Sequence, residues 1–314
     1  MTILVTGAGG FIGAAAVTAL REAGFRVKAG ARGAREAPCA VFCDLDAPAC
    51  LPEALRGVEL VVHAAYGDIG AMPRQAQTLL DAMAAAGVKN LVTLSSIAVY
   101  GAAEGRVDEA TPPRGLDRYG AAKVACEGAI RAWAQGDRRA ALLRPGIVYG
   151  ARSRFWIDKL VERIRAGAWG DMGARGEGVA ALIHLDDLAA VIAGLAARLV
   201  SPARAALDPC FALNAVGPET PRWNAYFAAL AQALNAPLPR WSASEVGRRR
   251  ALAVAGKVWR RLGLPGGRAL ALGPTGGELA LFARRAMYAT EAAQRLGLVP
   301  AIGLAEGLSR SKLV

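Results

Sequence analysis

The sequence has few residues of the kinds that build metal sites and disulfide frameworks. It contains two histidines and five cysteines among 314 residues. The number of cysteines is odd, and Cys39, Cys43 and Cys50 lack the paired spacing that is typical of a zinc site. These features argue against a structural zinc ion and against a disulfide framework. We therefore expect reduced thiols and no bound metal.

A long uninterrupted apolar run is also missing. Hydrophobic residues make up 54% of the chain, but the apolar stretch 179–200 is broken by His184, Asp186 and Asp187. The two aspartates precede an apolar helix and are interpreted as its N-cap and first-turn acids. Because a membrane-spanning helix needs about 20 apolar residues, no span is expected. The chain starts at once with a strand instead of a signal-like segment, which predicts a cytoplasmic location.

Acidic residues are scarce relative to basic ones, with 26 against 38, which gives a formal net charge of +12. Such a balance can indicate binding to nucleic acid or to anionic membranes. Most arginines are scattered among alanines, however, so no nucleic-acid partner is expected. The exception is the basic segment 248–261, where apolar and basic residues are interleaved. It is interpreted as a solvated helix face, with a clamp for an anionic substrate or a lipid-binding surface as alternatives.

A glycine-rich turn near the start of the chain is the strongest feature that is present. An apolar strand over residues 3–6 leads into it, and a helix is predicted over 11–23. Gly7 permits a sharp turn, Gly10 removes a Cβ where a pyrophosphate approaches the helix, and Gly13 permits close helix packing. Such a turn alone is also compatible with a flexible loop. The flanking strand and helix favour a dinucleotide-binding site.

Further strands alternate with helices, which predicts an α/β fold with a parallel sheet. Ligands of such sheets bind at the carboxyl ends of the strands. The strand predicted over 25–32 ends at Arg32, with Arg35 nearby, where an acidic residue would hold a ribose 2′-hydroxyl. An arginine there suits a 2′-phosphate, so NADP is predicted in preference to NAD. The alternative is that Arg32 is one of many surface arginines.

Three polar residues point to proton transfer. Tyr119 and Lys123 lie four residues apart at the start of a predicted helix, so both project from one face. Ser96 ends the strand predicted over 89–96. A tyrosine with a pKa of about 10 is a poor base at neutral pH, but a nearby ammonium favours the phenolate. We therefore predict that Lys123 lowers the pKa of Tyr119 and that Tyr119 transfers the proton.

These residues resemble the extended short-chain dehydrogenase/reductase family, also called the NAD-dependent epimerase/dehydratase family. The resemblance covers nearly the whole chain. The matching segments are the glycine turn 6–13, the pair 44–45, and the segments 63–65, 95–101, 119–123, 143–150, 183–188 and 288–307.

The resemblance implies a doubly wound parallel sheet of the Rossmann type with a smaller, interleaved C-terminal substrate lobe. Residues 1–150 and 180–214 would form the dinucleotide-binding domain, and residues 151–179 and 215–314 the lobe. Ser96 would hydrogen-bond the reacting oxygen, Tyr119 would move the proton, and Lys123 would hold the nicotinamide ribose. The implied cofactor-binding residues are Gly7, Gly10, Phe11, Ile12, Gly13, Arg32, Asp44, Leu45, Ala64, Ala65, Tyr119, Lys123 and Pro145.

The function that this implies is an NAD(P)-dependent oxidoreductase that transfers a hydride between nicotinamide and a hydroxyl or ketone carbon of a small-molecule substrate. One alternative is a redox-neutral nucleotide-sugar epimerase or dehydratase, and a second is a non-catalytic NADP-binding sensor. The stretch 66–77 is shorter than in members that act on nucleotide sugars and has no asparagine at its helix start, which disfavours a large nucleotide-sugar pocket. A homodimer is left open.

Overall fold

The computed structural model describes residues 1–33, 39–263 and 265–313. Its strands are β1 (Thr2–Thr6), β2 (Arg26–Ala31), β3 (Ala40–Phe42), β4 (Leu60–His63), β5 (Asn90–Leu94), β6 (Gly105–Val107), β7 (Arg139–Pro145), β8 (Ile147–Tyr149), β9 (Leu182–His184), β10 (Cys210–Ala215) and β11 (Ala286–Tyr288). Among these residues, seven strands form a parallel sheet in the order β10-β7-β5-β4-β1-β2-β3.

The helices connect these strands and build the C-terminal part of the chain. They are α1 (Phe11–Glu22), α2 (Leu51–Leu55), α3 (Met72–Ala85), α4 (Arg118–Trp133), α5 (Lys159–Arg165), α6 (Leu185–Val200), α7 (Trp223–Ala233), α8 (Ala243–Arg261), α9 (Gly267–Leu270), α10 (Gly276–Ala283), α11 (Glu291–Arg295) and α12 (Leu304–Arg310).

Helices cover both faces of the sheet because successive side chains of a strand point to opposite faces. In β1, Ile3 and Val5 pack into one hydrophobic cluster with residues of α1 and α6. Leu4 packs into a second cluster with residues of α2, α3 and α4. A parallel sheet buried on both faces explains why its strands are almost wholly apolar. The predicted doubly wound α/β fold of the Rossmann type is confirmed.

The direction in which the chain builds the sheet reverses beside β1. The chain runs from β1 outward through β2 to β3, and then returns to add β4 on the other side of β1. In open α/β sheets, ligands bind in the crevice at such a switch point, outside the carboxyl ends of the strands. Gly7 follows β1 and Ala64 follows β4, so the fold places both segments at this crevice.

The C-terminal part of the chain contains a further hydrophobic cluster that is rich in aromatic residues. Trp169, Trp223, Phe227 and Phe282 are fully buried there, with ring centres 4.6 to 6.0 Å apart in neighbouring pairs. Apart from this cluster, α11 packs on the sheet through Ala293. The domain limits stated above stay a prediction.

Two elements differ from their sequence-based limits. The segment 143–150 is not one strand, because β7 ends at Pro145 and β8 pairs with β9 in a separate small sheet. Gly146 connects the end of β7 to the start of β8. A Cβ on this residue would lie 2.1 Å from the carbonyl oxygen of Ala181, so only glycine fits there. In addition, α6 is capped by the ring of His184, which accepts the N–H of Asp186 at 3.2 Å. Asp186 is therefore a first-turn acid and not the N-cap.

Candidate active site

The glycine turn holds the carboxyl ends of β1 and β4 in contact. Gly7 has a φ of 69°, and a Cβ on it would lie 2.5 Å from the Cα of Ala65. A Cβ on Gly13 would lie 2.2 Å from the carbonyl oxygen of Gly7. Both distances are too short for any side chain, so only glycine permits this close approach. The predicted roles of these two residues thus rest on specific backbone contacts.

The first turn of α1 offers backbone donors to an anion. Gly10 is its N-cap and contributes no side chain, so no side-chain oxygen accepts the N–H groups of the first turn. Phe11 and Ile12, the next two residues, are half-buried. An uncapped helix N-terminus that follows a glycine turn suits a pyrophosphate, because its N–H groups and the helix dipole both favour negative charge. These residues fit a dinucleotide.

Arg32 and Asp44 lie at the other end of the crevice. Arg32 directly follows β2 and is exposed. Asp44 follows β3, and its Oδ1 accepts the N–H of Asp46 at 3.0 Å, while the next residue, Leu45, is buried. Arg35, also noted in the sequence, is outside the described residues. The placement of these residues at neighbouring strand ends agrees with an adenosine site.

A second arginine contacts the same region. The side chains of Arg74 and Gln75 donate to the carboxylate of Asp46 at 2.6 and 2.8 Å. These two hydrogen bonds lower the pKa of Asp46, and the charges of Arg74 and Arg32 lower it further. The sequence reasoning missed Arg74 because it lies on α3, far along the chain from β2 and β3. The charge of Arg74 is therefore paired with the carboxylate of Asp46, while that of Arg32 acts on the same carboxylate from further away.

Ser96, Tyr119 and Lys123 are brought together at the carboxyl end of β5. Asp117 caps α4 by accepting the N–H of Gly120 at 2.7 Å, which fixes the first helical turn. The half-buried Tyr119 lies in this turn, and the hydroxyl of Ser96 hydrogen-bonds its phenol. The Lys123 nitrogen lies 5.8 Å from the centre of the Tyr119 ring. The three side chains that the sequence analysis grouped together therefore lie close to one another in the structure.

The pKa of Tyr119 does not follow the sequence-based expectation. Burial raises it to about 12, although the hydrogen bond from Ser96 partly opposes this rise. The nitrogen of Lys123 donates to the carbonyl oxygen of Leu94 at 2.5 Å instead of to the phenol. Burial also lowers the pKa of Lys123, to about 8. The prediction that Lys123 brings the pKa of Tyr119 down towards neutral pH is therefore wrong for this structure, because burial raises this pKa above its ordinary value.

Tyr66 is a neighbour of the site that the sequence did not reveal. Its ring meets the ring of Tyr119 edge to face, with 5.9 Å between the ring centres. Tyr66 is largely exposed, so one ring beside Tyr119 is in contact with solvent. The available signal was an aromatic residue directly after Ala64 and Ala65 at the end of β4.

A buried network of polar side chains holds the helix α4 against the sheet. Glu127, one turn after Lys123, accepts hydrogen bonds from the hydroxyl of Ser95 and from Nε and Nη2 of Arg144. Arg144 also donates to the hydroxyl of Tyr100 at 2.7 Å. The network joins α4 to β5 and β7, so it fixes the helix that carries Tyr119 against the sheet. Only the spacing of Glu127 from Lys123 could have suggested it.

His63 has a packing role, whereas the cofactor-binding role implied for Pro145 stays a prediction. The Nδ1 atom of His63 lies 2.8 Å from the hydroxyl of Thr6, and burial lowers the pKa of His63 to about 3. The ring is therefore neutral and links β1 to β4. Pro145 is buried at the end of β7, where the chain leaves the sheet. Neither residue offers a group for proton transfer at neutral pH.

Within residues 1–33, 39–263 and 265–313, no group of three or more histidine, cysteine, aspartate or glutamate side chains could hold a metal ion. No helix in these ranges has the length and apolarity that crossing a membrane requires. All five cysteines are free. Burial raises the pKa of the thiol of Cys43 to about 12, so this thiol is protonated at neutral pH.

Comparisons with known proteins agree with this geometry. The family model "NAD dependent epimerase/dehydratase family" matches residues 3–204. The chain is 32% identical over 222 residues to 2'-dehydrokanamycin reductase of Streptomyces kanamyceticus, which covers 63% of the chain and 58% of that protein. It is 34% identical over 101 residues to N-acetyl-alpha-D-glucosaminyl-diphospho-ditrans,octacis-undecaprenol 4-epimerase of Escherichia coli O157:H7, covering 31% of the chain and 30% of the epimerase. Both matches span less than two thirds of these relatives.

A solved structure matches over nearly the full length. MoeE5 in complex with UDP-glucose and NAD superposes with a TM-score of 0.72 at 25% sequence identity. The match covers 99% of this chain and 97% of that one. Both the sheet and the C-terminal part of the chain therefore have counterparts in one known structure.

Proposed function

The chain belongs to the NAD dependent epimerase/dehydratase family, and on this premise we propose that it is an NAD(P)-dependent oxidoreductase that acts on a hydroxyl or ketone carbon of a small molecule. Enzymes of the extended short-chain dehydrogenase/reductase type make up this family and its structural neighbours. The observation that carries the proposal is the hydrogen bond between Ser96 and Tyr119, with Lys123 one turn further along the same helix face. A non-catalytic sensor would need the glycine turn but not this arrangement.

Tyr119 is suited to donate a proton. Because its pKa lies at about 12, its phenol is protonated at neutral pH. It would give this proton to the oxygen of a ketone as that oxygen gains negative charge, while the hydroxyl of Ser96 stabilises the same oxygen. When bound, the nicotinamide supplies or accepts a hydride at the adjacent carbon. The protonated phenol favours the reductive direction.

We assign the cofactor to the crevice between β1 and β4. Gly7 and Gly13 hold the tight turn, and Gly10 leaves the first turn of α1 without a side-chain cap, so that its N–H groups would face the pyrophosphate. The small side chains of Ala64 and Ala65 would let the cofactor lie close to the end of β4. Asp44 and Leu45 would line the adenine, and Lys123 would hold the nicotinamide ribose. Arg32 favours NADP through the 2′-phosphate. NAD, which is present in the MoeE5 structure, is the alternative cofactor.

Redox-neutral epimerisation is the second candidate function. It uses the same proton transfer and then returns the hydride to the same substrate. The observation in its favour is the match to MoeE5 with UDP-glucose and NAD over 99% of the chain. The E. coli relative adds a substrate type, a sugar attached through a diphosphate to a polyprenol. The reductase match, at 32% identity over 63% of the chain, favours net reduction.

The test is a substrate panel followed by two readouts. Ketones, hydroxysteroids, dehydrogenated aminoglycosides and nucleotide sugars are each incubated with the protein and with reduced or oxidised cofactor. Loss or gain of reduced-nicotinamide absorbance supports the oxidoreductase. Conversion of a sugar without a net change in absorbance supports the epimerase. If neither signal differs between wild type and Tyr119→Phe for any substrate, the proposal fails. A homodimer and a cytoplasmic location stay predictions.

A further inference from the structure

Helix α8 exposes an apolar stripe along one face. Its inner face packs on the protein through the buried residues Val246, Ala253 and Gly256. The stripe consists of residues at helical spacing on the outer face, namely Val254, Val258, Trp259 and Leu262, which are 56%, 52%, 45% and 68% exposed. Leaving such side chains in water is unfavourable, and clustered exposed apolar side chains often mark a binding surface.

Basic side chains border this stripe. Arg250, Lys257 and Arg261 are exposed and lie seven and four residues apart, so they follow one edge of the stripe. Within the part of the chain that the structure describes, none of the three is paired with an acid. The first turn of the same helix differs, because there Arg248 and Arg249 share the carboxylate of Glu245. The far end of α8 therefore combines uncompensated positive charge with exposed apolar side chains.

We propose that this face of α8 docks on an anionic lipid surface and lies in the plane of the membrane interface. Helices that bind in this way carry lysine and arginine on their polar side and tryptophan and aliphatic residues on the other. The apolar side chains enter the boundary between headgroups and acyl chains, tryptophan prefers that depth, and basic residues at the rim contact anionic headgroups. The stripe with its basic rim meets each of these requirements.

Two other partners agree less well with the same observations. A second copy of the chain, placed face to face, would bring the basic edge of one α8 close to that of the other, and both copies carry a net charge of +12. Nucleic acid would be held by the basic residues through its phosphates and gives the aliphatic stripe no role. A lipid surface satisfies the charge and the stripe together. This docking is peripheral and is independent of the reaction proposed above.

Vesicle binding tests the proposal. The full-length protein is sedimented with vesicles of phosphatidylcholine alone and with vesicles of phosphatidylcholine and phosphatidylglycerol in equal amounts. We expect binding to the anionic vesicles and at least about tenfold weaker binding to the neutral ones, since the basic residues near the surface are attracted to anionic headgroups. Trp259 is the exposed tryptophan of the chain, and the other five are buried or half-buried. Its emission should shift to the blue with anionic vesicles, and Trp259→Phe should lose that shift.

Two sets of variants separate the contributions. Lys257→Glu/Arg261→Glu should reduce binding to anionic vesicles by at least about tenfold. The matched control Arg26→Glu/Arg295→Glu makes the same change in net charge at exposed positions outside α8 and should bind as wild type does. Val254→Ser/Val258→Ser should weaken binding while leaving the charge unchanged. Unaltered cofactor affinity serves as the check that all variants are folded.

Several results would overturn the proposal. Equal loss of binding in the control and in the α8 charge variant would show that net charge alone acts. Binding to vesicles that is unchanged in Val254→Ser/Val258→Ser, together with equally tight binding to a polyanion such as heparin, would show that the face binds polyanions and not a lipid surface. A concentration-dependent dimer that Val258→Ser dissociates, without any vesicle binding, would assign it to a second copy. Failure to bind either type of vesicle would also refute it.

Discussion

Arg144 in β7 and Glu127 in α4 form a fully buried ion pair that is held by two hydrogen bonds. The Nε and Nη2 atoms of Arg144 lie 2.9 and 2.6 Å from the two carboxylate oxygens of Glu127. Arg144 is 0% exposed and Glu127 is 2% exposed. The pair joins the strand β7 to the helix α4, one turn beyond Lys123. It therefore links the sheet to the helix that carries Tyr119 and Lys123.

Removal of one partner of this pair should strongly destabilise the protein. In Glu127→Gln the carboxylate charge is lost, and the guanidinium of Arg144 stays buried without compensation. Breaking a buried pair in this way costs about 3–5 kcal/mol of the free energy of unfolding. Urea unfolding of wild type and variant at neutral pH measures the difference. Glu127→Met/Arg144→Met should be more stable than Glu127→Gln, because no buried charge remains in it.

An exposed pair provides the control. Glu53, in α2, forms an ion pair with Arg56, the residue directly after this helix. Both side chains are largely exposed. Glu53→Gln should change the free energy of unfolding by less than about 1 kcal/mol. If the two Glu→Gln variants lose similar amounts of stability, the buried pair has no special structural role.

The burial of Lys123 should make stability depend on alkaline pH. Burial lowers its pKa from 10.5 to about 8, so between these values the unfolded chain binds more protons than the folded one. The contribution of Lys123 to the free energy of unfolding therefore rises as the pH increases from about 8 to 10.5. The difference in unfolding free energy between wild type and Lys123→Met should rise by about 2–3 kcal/mol from about pH 7 to about pH 10. A flat difference would contradict the lowered pKa.

The comparison with Lys123→Met is needed because other groups make contributions to stability that fall, and do not rise, with increasing pH. Burial raises the pKa of Tyr119 and of Tyr100 to about 12, so the folded chain retains their protons where the unfolded chain releases them. Their contributions fall with pH above about 10. Subtracting the curve of the variant removes these contributions, and stopping at about pH 10 keeps them small.

Local patterns were sufficient to predict the fold and the grouping of Ser96, Tyr119 and Lys123. Strand alternation, the glycine turn and the four-residue spacing of Tyr119 and Lys123 each depend on neighbours in the sequence. The contacts of Gly7 with Ala65, which lies beyond three further strands, explain physically why the turn contains glycine.

The parts that could not be predicted depend on distant contacts. Arg74 reaches Asp46 across 28 residues, and Tyr66 meets Tyr119 only after the sheet has formed. The pKa of Tyr119 was predicted in the wrong direction because burial, which sets it, is not visible from spacing. Residue spacing indicates which of these side chains come together, whereas the packing around them determines their protonation.

The NADP preference depends on Arg32. Arg32→Ala should weaken NADPH binding by about 10- to 100-fold, since a hydrogen bond to a charged group contributes about 1.5–3 kcal/mol. NADH has no 2′-phosphate, so its affinity should change little. Titration of both cofactors measures this. Arg26→Ala, at the opposite end of β2, is the matched control and should retain the wild-type preference. Equal affinities of wild type for the two cofactors would show that Arg32 is a surface arginine without this role.

The proton transfer assigned to Tyr119 is tested by removing its hydroxyl alone. Tyr119→Phe should retain cofactor affinity while turnover falls about 10²- to 10⁴-fold, the range typical of general acid–base catalysis. Lys123→Met should reduce both turnover and cofactor affinity, because Lys123 is assigned to the cofactor ribose as well as to the site. The neighbouring ring provides the control: Tyr66→Phe removes a hydroxyl beside the same phenol and should reduce turnover far less. Initial rates on a confirmed substrate, with separately measured cofactor dissociation constants, distinguish these variants. If Tyr119→Phe retains most of its turnover, the phenol only packs the helix, and another group supplies the proton.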